Sequence, residues 1–275
     1  MNYTKFHETV WKFYKENKRS FPWRETHEFY NILVSEIMLQ QTQVTRVTYK
    51  YQEFLDKFPT LKDLARAPLR DVLHTWMGLG YNRRAKALHE CAKQITEKHK
   101  GQIPKTFDEL VMLPGIGQST AGALLNFVWN IPTPFIETNI RTVYLHHFFK
   151  NSKNKIDDKK ILDLVSKTID TDNPREWFYA LYDYGTHLKQ NLKQDPARKS
   201  TSYKKQSKFK GSFREKRAFV LKLLLNKKLR ETEIGKRLLD KKLLDKKDLK
   251  EETLKIISSL LEDNLILKSK GFYFV

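Results

Sequence analysis

The 275-residue chain contains a single cysteine, Cys91. One thiol excludes a disulfide framework, a multi-cysteine zinc site and a four-cysteine iron–sulfur cluster. Long apolar runs are missing too; none approaches the ~20 residues that a bilayer-spanning helix needs. The first residues, MNYTKFHETVWKFYKENKR, are polar and predict an amphipathic helix rather than a secretory leader. The histidines show no HExxH or paired metal-ligand spacing, and His146 and His147 predict helix packing. P-loop and dinucleotide fingerprints are likewise absent. Acidic residues are outnumbered, 32 against 52 Lys and Arg, for a formal net charge of +20. Hydrophobic residues, at 40%, suffice for real cores. The expectation is a soluble intracellular protein with a polyanionic partner.

Eleven basic and two acidic residues fall between Lys189 and Arg217. The stretch DPARKSTSYKKQSKFKGS has little apolar content and predicts an exposed connector over 191–212. Lys204, Lys205, Lys208 and Lys210, interleaved with Tyr203 and Phe209, suit contact with nucleic-acid phosphates. Before the connector, three- and four-residue apolar spacing predicts helices over Phe6–Phe13, Ile32–Val47, Leu61–Trp76, Ala85–Ile95 and Ala121–Val128. After it, Phe213–Leu225, Glu231–Leu239 and Leu249–Leu261 read as helices, and NLILKSKGFYFV as two short strands around Ser269–Gly271. That order is similar to a winged helix, in which one helix enters the major groove and the hairpin touches the backbone. A small protein-contact domain would read the same way. The division predicted is 1–190, an all-α domain; 191–212, a basic linker; and 213–275, a winged-helix-like module.

LPGIGQSTAGALL, residues 113–125, places two glycines around one apolar residue just ahead of a helix. Gly115 and Gly117 permit a tight turn and close backbone approach, and the helix start offers unpaired N–H groups to an anion. With Leu113 and Gln118, they predict a backbone clamp on DNA phosphate. Four further segments stand in order with this hairpin: FPWR (21–24), SEIMLQQTQV (35–44), GLGYNRRAKALHECA (78–92) and IETNIRTV (136–143). Together, from about Trp11 to Gly185, the series resembles the helix-hairpin-helix (HhH-GPD) DNA glycosylase superfamily, and within it the MutY-type adenine DNA glycosylases. The fold so implied is an all-α helix-hairpin-helix glycosylase domain, followed by the basic linker and the small winged-helix-like module.

The chemistry of such a reaction can be followed on these residues. An enzyme acting on a base must flip it from the duplex, and something must fill the gap. The resemblance makes Gln41 a wedge beside the orphaned base and Tyr81 an intercalating ring, with Gln40, Thr42 and Asn139 touching DNA. Trp23 and Arg24 would line the base pocket. Glu36, among apolar neighbours that raise a carboxyl pKa, is implied as the acid that protonates adenine. A second carboxylate should stabilise the oxocarbenium-like sugar, as in retaining glycosidases. The family has aspartate there; this chain has Glu137. One methylene moves a carboxylate by about 1.5 Å on a fixed backbone, and misplacement by ~1 Å can cost about a hundredfold in rate.

Ser119 occupies the position where bifunctional relatives carry a Schiff-base lysine. A serine has no amine to offer, which implies a monofunctional enzyme that leaves an abasic site. The stretch 188–206, which follows the segment preceding the cluster in most relatives, has no cysteine, so no iron–sulfur cofactor is expected. A monovalent cation on the hairpin carbonyls of Leu113 or Ile116 is a further implication, as is the absence of a protein-ligated metal. The last 60-odd residues do not resemble the Nudix-like domain of familiar adenine glycosylases. The implied substrate is double-stranded DNA holding adenine opposite 8-oxoguanine or G, met by a monomer without membrane attachment. Its compartment would be the cytoplasm (with the nucleoid) in a prokaryote and the nucleus otherwise. Two alternatives stay open: a glycosylase for T or U opposite G, and a non-catalytic mismatch-binding protein.

Overall fold

The computed structural model describes residues 3–275 and, among them, fourteen α-helices and one small sheet. The helices are α1 (Tyr3–Asn17), α2 (Phe29–Leu39), α3 (Val44–Lys57), α4 (Leu61–Arg66), α5 (Leu69–Trp76), α6 (Arg83–Glu97) and α7 (Phe107–Val111). They continue as α8 (Gln118–Trp129), α9 (Thr138–Phe148), α10 (Asp158–Thr168), α11 (Pro174–Asn191), α12 (Phe213–Asn226), α13 (Glu231–Asp240) and α14 (Leu249–Glu262). The strands are β1 (Leu229–Arg230), β2 (Leu267–Ser269) and β3 (Phe272–Phe274). The chain divides into two compact units, one ending at Glu36 and resuming over Pro104–Lys205, the other comprising Ile37–Ile103 and Gln206–Val275.

In the first unit, α11 is the central helix, packed by α1, α8 and α9. Aromatic side chains fill the joints: Phe6 lies 5.2 Å from Tyr144, and Phe127 stacks on Tyr179 at 4.2 Å. Burying each such ring is worth about 1.5–3 kcal/mol. At Gly185, α11 approaches α9 so closely that a Cβ there would stand 2.4 Å from the Asn139 carbonyl oxygen. The hairpin forms as its sequence predicts. Thr106 and Glu109 cap the start of α7 reciprocally, Gly115 turns with φ of +80°, and Gly117 precedes α8 with no side-chain cap.

The connector expected over 191–212 is only partly exposed. Pro196–Lys199 forms one 3-10 turn that packs on α9, with Ala197 and Ser200 buried. Ile156 and Ser200 make a β-bridge, and the Lys199 ammonium donates to the carbonyls of Phe149, Lys150 and Ser152. A lysine here ties down the carbonyls of the turn that follows α9, a contact that composition does not reveal. Lys204, Lys205, Lys208 and Lys210 are exposed, as predicted.

The second unit holds α3–α6 and α12–α14. Two single helices predicted from spacing are each two. Leu61–Trp76 breaks at Ala67–Pro68, because proline supplies no N–H and disfavours helix before it. Ile32–Val47 breaks after Leu39, where Gln40–Gln43 offers no apolar side chain to bury. There Gln41 turns with φ of +55°. The Arg84 guanidinium takes the freed carbonyls of Ile37, Met38 and Gln40. Helices α12–α14 and an antiparallel sheet of order β1-β3-β2 form the C-terminal module. Its β1 is two residues long, too short to show alternation in the sequence.

Candidate active site

Glu36 sits on the penultimate turn of α2, half-buried, between the fully buried Ser35 and Ile37. Burial raises its pKa to about 8, the neighbouring Glu137 adds to the rise, and Arg24 opposes it. At neutral pH the carboxyl therefore keeps its proton. That is the state a general acid requires.

Glu137 is the N-cap of α9. Its Oε1 accepts from the backbone N–H groups of Asn139 at 2.6 Å and Ile140 at 2.8 Å. The extra methylene is thus folded back onto the helix start, where backbone donors and the helix dipole fix the carboxylate. The Asn139 amide stands 3.4 Å from Oε2 and receives the Lys189 ammonium at 2.9 Å on its own oxygen. Burial raises the Glu137 pKa from its usual value, with Lys189 and the two backbone N–H groups pulling the other way. Gly185 is what lets α11 bring Lys189 alongside this cap. The Tyr182 hydroxyl, pushed well above its ordinary pKa by burial, also feels the charges of both carboxylates.

The surroundings of the other expected site residues are set by partners elsewhere in the chain. Trp23 and Arg24 are both buried, and Arg24 acts electrostatically on Glu36. Trp23 is 3% exposed and stacked on Phe21 at 4.9 Å. Arg24 is buried in a two-pronged pair with Asp183, at 2.8 and 2.9 Å, over the face of Tyr179. Burial works against its charge, but Asp183 outweighs it and raises the Arg24 pKa. The Asn139 side-chain amide joins Lys189 to Glu137. The Leu113 side chain is buried, and its carbonyl accepts the Ile116 N–H at 3.1 Å. Gly117 and Gln118 remain exposed on the hairpin, with nothing within 4 Å of a Cβ built on Gly117. Ser119 donates to the Ile136 carbonyl at 2.6 Å, tying α8 to the segment that leads into Glu137.

In the second unit, Gln41 and Tyr81 (φ +50°) are both left-handed non-glycine residues. Such backbone costs of order 1 kcal/mol and persists where surroundings hold it. Arg84 provides that hold. It donates to Thr42 Oγ1 and to the Leu79 and Gly80 carbonyls, as well as to the end of α2, stapling the 40–43 and 78–82 turns. Thr42 is thereby part of the staple. Arg84, Lys189, Tyr182 and Asp183 carry no role assigned from the sequence; the bonds of Arg84 to α2, of Lys189 to Asn139 and of Asp183 to Arg24 join residues far apart in the chain.

A four-cysteine cluster does not fit this chain. Cys91 is buried in α6 with its thiol pushed up to about 12, and the strap around Lys199 fills the region after α11 with lysine-to-carbonyl bonds.

A helical scaffold with a glycine hairpin and a coupled carboxyl pair defines the helix-hairpin-helix class of base-excision proteins. Residues 34–168 match the HhH-GPD superfamily base excision DNA repair protein family, and that segment of the chain belongs to it. Among curated relatives, the adenine DNA glycosylase of Buchnera aphidicola subsp. Baizongia pistaciae is 36% identical over 185 residues, covering 66% of this chain and 52% of its own length. That of Mycobacterium tuberculosis H37Rv is 43% identical over 131 residues, 47% of this chain and 43% of its own. The chain thus spans about half the length of the curated relatives it matches. A solved thermostable thymine-DNA glycosylase superposes with a TM-score of 0.62 at 25% identity, covering 66% of this chain and 85% of that one.

Proposed function

We propose that the chain is a monofunctional DNA N-glycosylase that removes adenine mispaired with 8-oxoguanine or G. The observation that carries this reading is the carboxyl pair, with Glu36 protonated at neutral pH and Glu137 held at a helix start. Glu36 delivers its proton to the adenine ring, the C1′–N9 electron pair leaves with the base, and the sugar becomes cationic. Glu137 stabilises that cation until water adds and loses a proton. Gln41 and Tyr81 enter the duplex, and the hairpin's backbone grips phosphate. Ser119 is bonded to the Ile136 carbonyl and supplies no amine, so the product is an abasic site.

The named relatives support adenine as substrate. The thymine-DNA glycosylase, most of whose length this chain covers, favours a second reading in which T or U opposite G is removed. A substrate panel separates the two. The 275-residue chain, in excess, is incubated with duplexes holding A opposite 8-oxoguanine, A opposite G, and T or U opposite G. Excision of adenine supports the first reading; excision of T or U alone replaces it with the second.

A further inference from the structure

The winged-helix topology suggests a groove reader, yet α14, the helix that topology would insert into DNA, is poorly suited to that task. Its exposed Glu251 pairs with Lys255 at 2.7 Å, and Glu252 receives Lys216 at 3.2 Å. Its C-terminal end is occupied instead by the start of α6. Asp263 accepts the Arg217 guanidinium, lies 3.7 Å from Arg83, and receives Lys86 on its carbonyl at 3.2 Å. Farther along, Arg70 donates to the Leu225 carbonyl at the end of α12.

These contacts converge on the corner that presents Tyr81. The Tyr81 hydroxyl accepts from Arg214 Nη1 at 2.6 Å and from the Gln206 amide. Arg214 and Arg84 each place a guanidinium carbon within 5.4 Å of the Tyr81 ring centroid. Arg214 is itself anchored on the Ser207 carbonyl at 2.6 Å. One aromatic ring, set on a strained left-handed residue, is thus held at its face by Arg84 and Arg214 and at its hydroxyl by Arg214 and Gln206.

We infer that the C-terminal module is an intramolecular brace for Tyr81, with Arg214 and Gln206 as positioning residues that hold the ring ready to enter DNA. The inference rests on the proposed reading in which Tyr81 enters the duplex. Ordering the ring before encounter removes a cost that binding would otherwise carry. The hydroxyl is the point of attachment, so losing it or losing Arg214 has one and the same consequence.

The test uses the full chain as Tyr81→Phe, Arg214→Ala, Arg214→Lys and the Tyr81→Phe/Arg214→Ala double variant. Two readouts are taken: amide hydrogen exchange over residues 78–82 in the free protein, and single-turnover excision of adenine opposite 8-oxoguanine below saturation. The brace predicts faster exchange at 78–82, but not in α9, for Tyr81→Phe and Arg214→Ala. It predicts about tenfold slower excision for each, the scale of one charged hydrogen bond. The double variant should fall no further than the worse single, and Arg214→Lys should recover most of the rate. Unchanged exchange, additive losses, or faster excision by Arg214→Ala would each overturn it. A wild-type protein that excises nothing would refute the proposed function instead, and exchange alone would then judge the brace.

Discussion

Replacing Lys189 with methionine isolates the charge that opposes the upward shift of the Glu137 pKa. The Lys189 ammonium reaches the carboxylate through Asn139, with contacts of 2.9 and 3.4 Å. Spanning the amide between them puts the charges on the order of 7 Å apart, worth about 2 kcal/mol at an effective dielectric of about 20. Both groups are half-buried, and solvent screening reduces this to about 1 kcal/mol, a little under one pH unit. The sign follows from the roles. Glu137 works as the anion, so raising its pKa moves the acid limb of the pH–rate profile upward by about one unit. The basic limb, near the Glu36 value of about 8, should hardly move. Because the carboxyls interact, each limb belongs to the pair. The assay is single-turnover excision from pH 4.5 to 9, with Lys189→Arg as the charge-preserving control. An acid limb unmoved in Lys189→Met, or moved equally in Lys189→Arg, would refute the reasoning.

Gly185→Ala should lower stability by about 1–3 kcal/mol, since its Cβ has 2.4 Å to the Asn139 carbonyl and the backbone there has to give. It should also slow excision, because the same helix start holds Glu137; urea unfolding beside the rate assay reads both. Replacing Lys204, Lys205, Lys208 and Lys210 together with alanine should flatten the log–log salt dependence of duplex binding by up to about 3–4, as about 0.9 is lost per phosphate contact. An unchanged slope would place the exposed lysines away from DNA.

Much of the scaffold is legible locally. Gly115 and Gly117 around Ile116, ahead of an apolar helix, are sufficient to specify the hairpin, and Glu36 among apolar neighbours announces a raised pKa. The breaks at Gln40–Gln43 and Pro68 are also visible in residue chemistry, although apolar spacing runs across both. The side-chain partners of Asn139 and Arg24 are not legible, because they lie elsewhere in the chain. Arg24 acquires its two-pronged pair from Asp183, 159 residues away. Glu137 illustrates the limit best: side-chain length alone predicts a displaced carboxylate, whereas its place at an N-cap shows what the longer arm holds. Arg214 on Tyr81 lies at the far end of this scale, spanning 133 residues.

The central claim is that Glu36 is the proton donor for adenine release. The most direct measurement is single-turnover excision from an adenine–8-oxoguanine duplex by wild type and Glu36→Gln, each analysed with and without alkali. The account predicts strand breaks after alkali only, lost in Glu36→Gln while duplex binding persists. Adenine release by Glu36→Gln at the wild-type rate, or none by wild type, would contradict it.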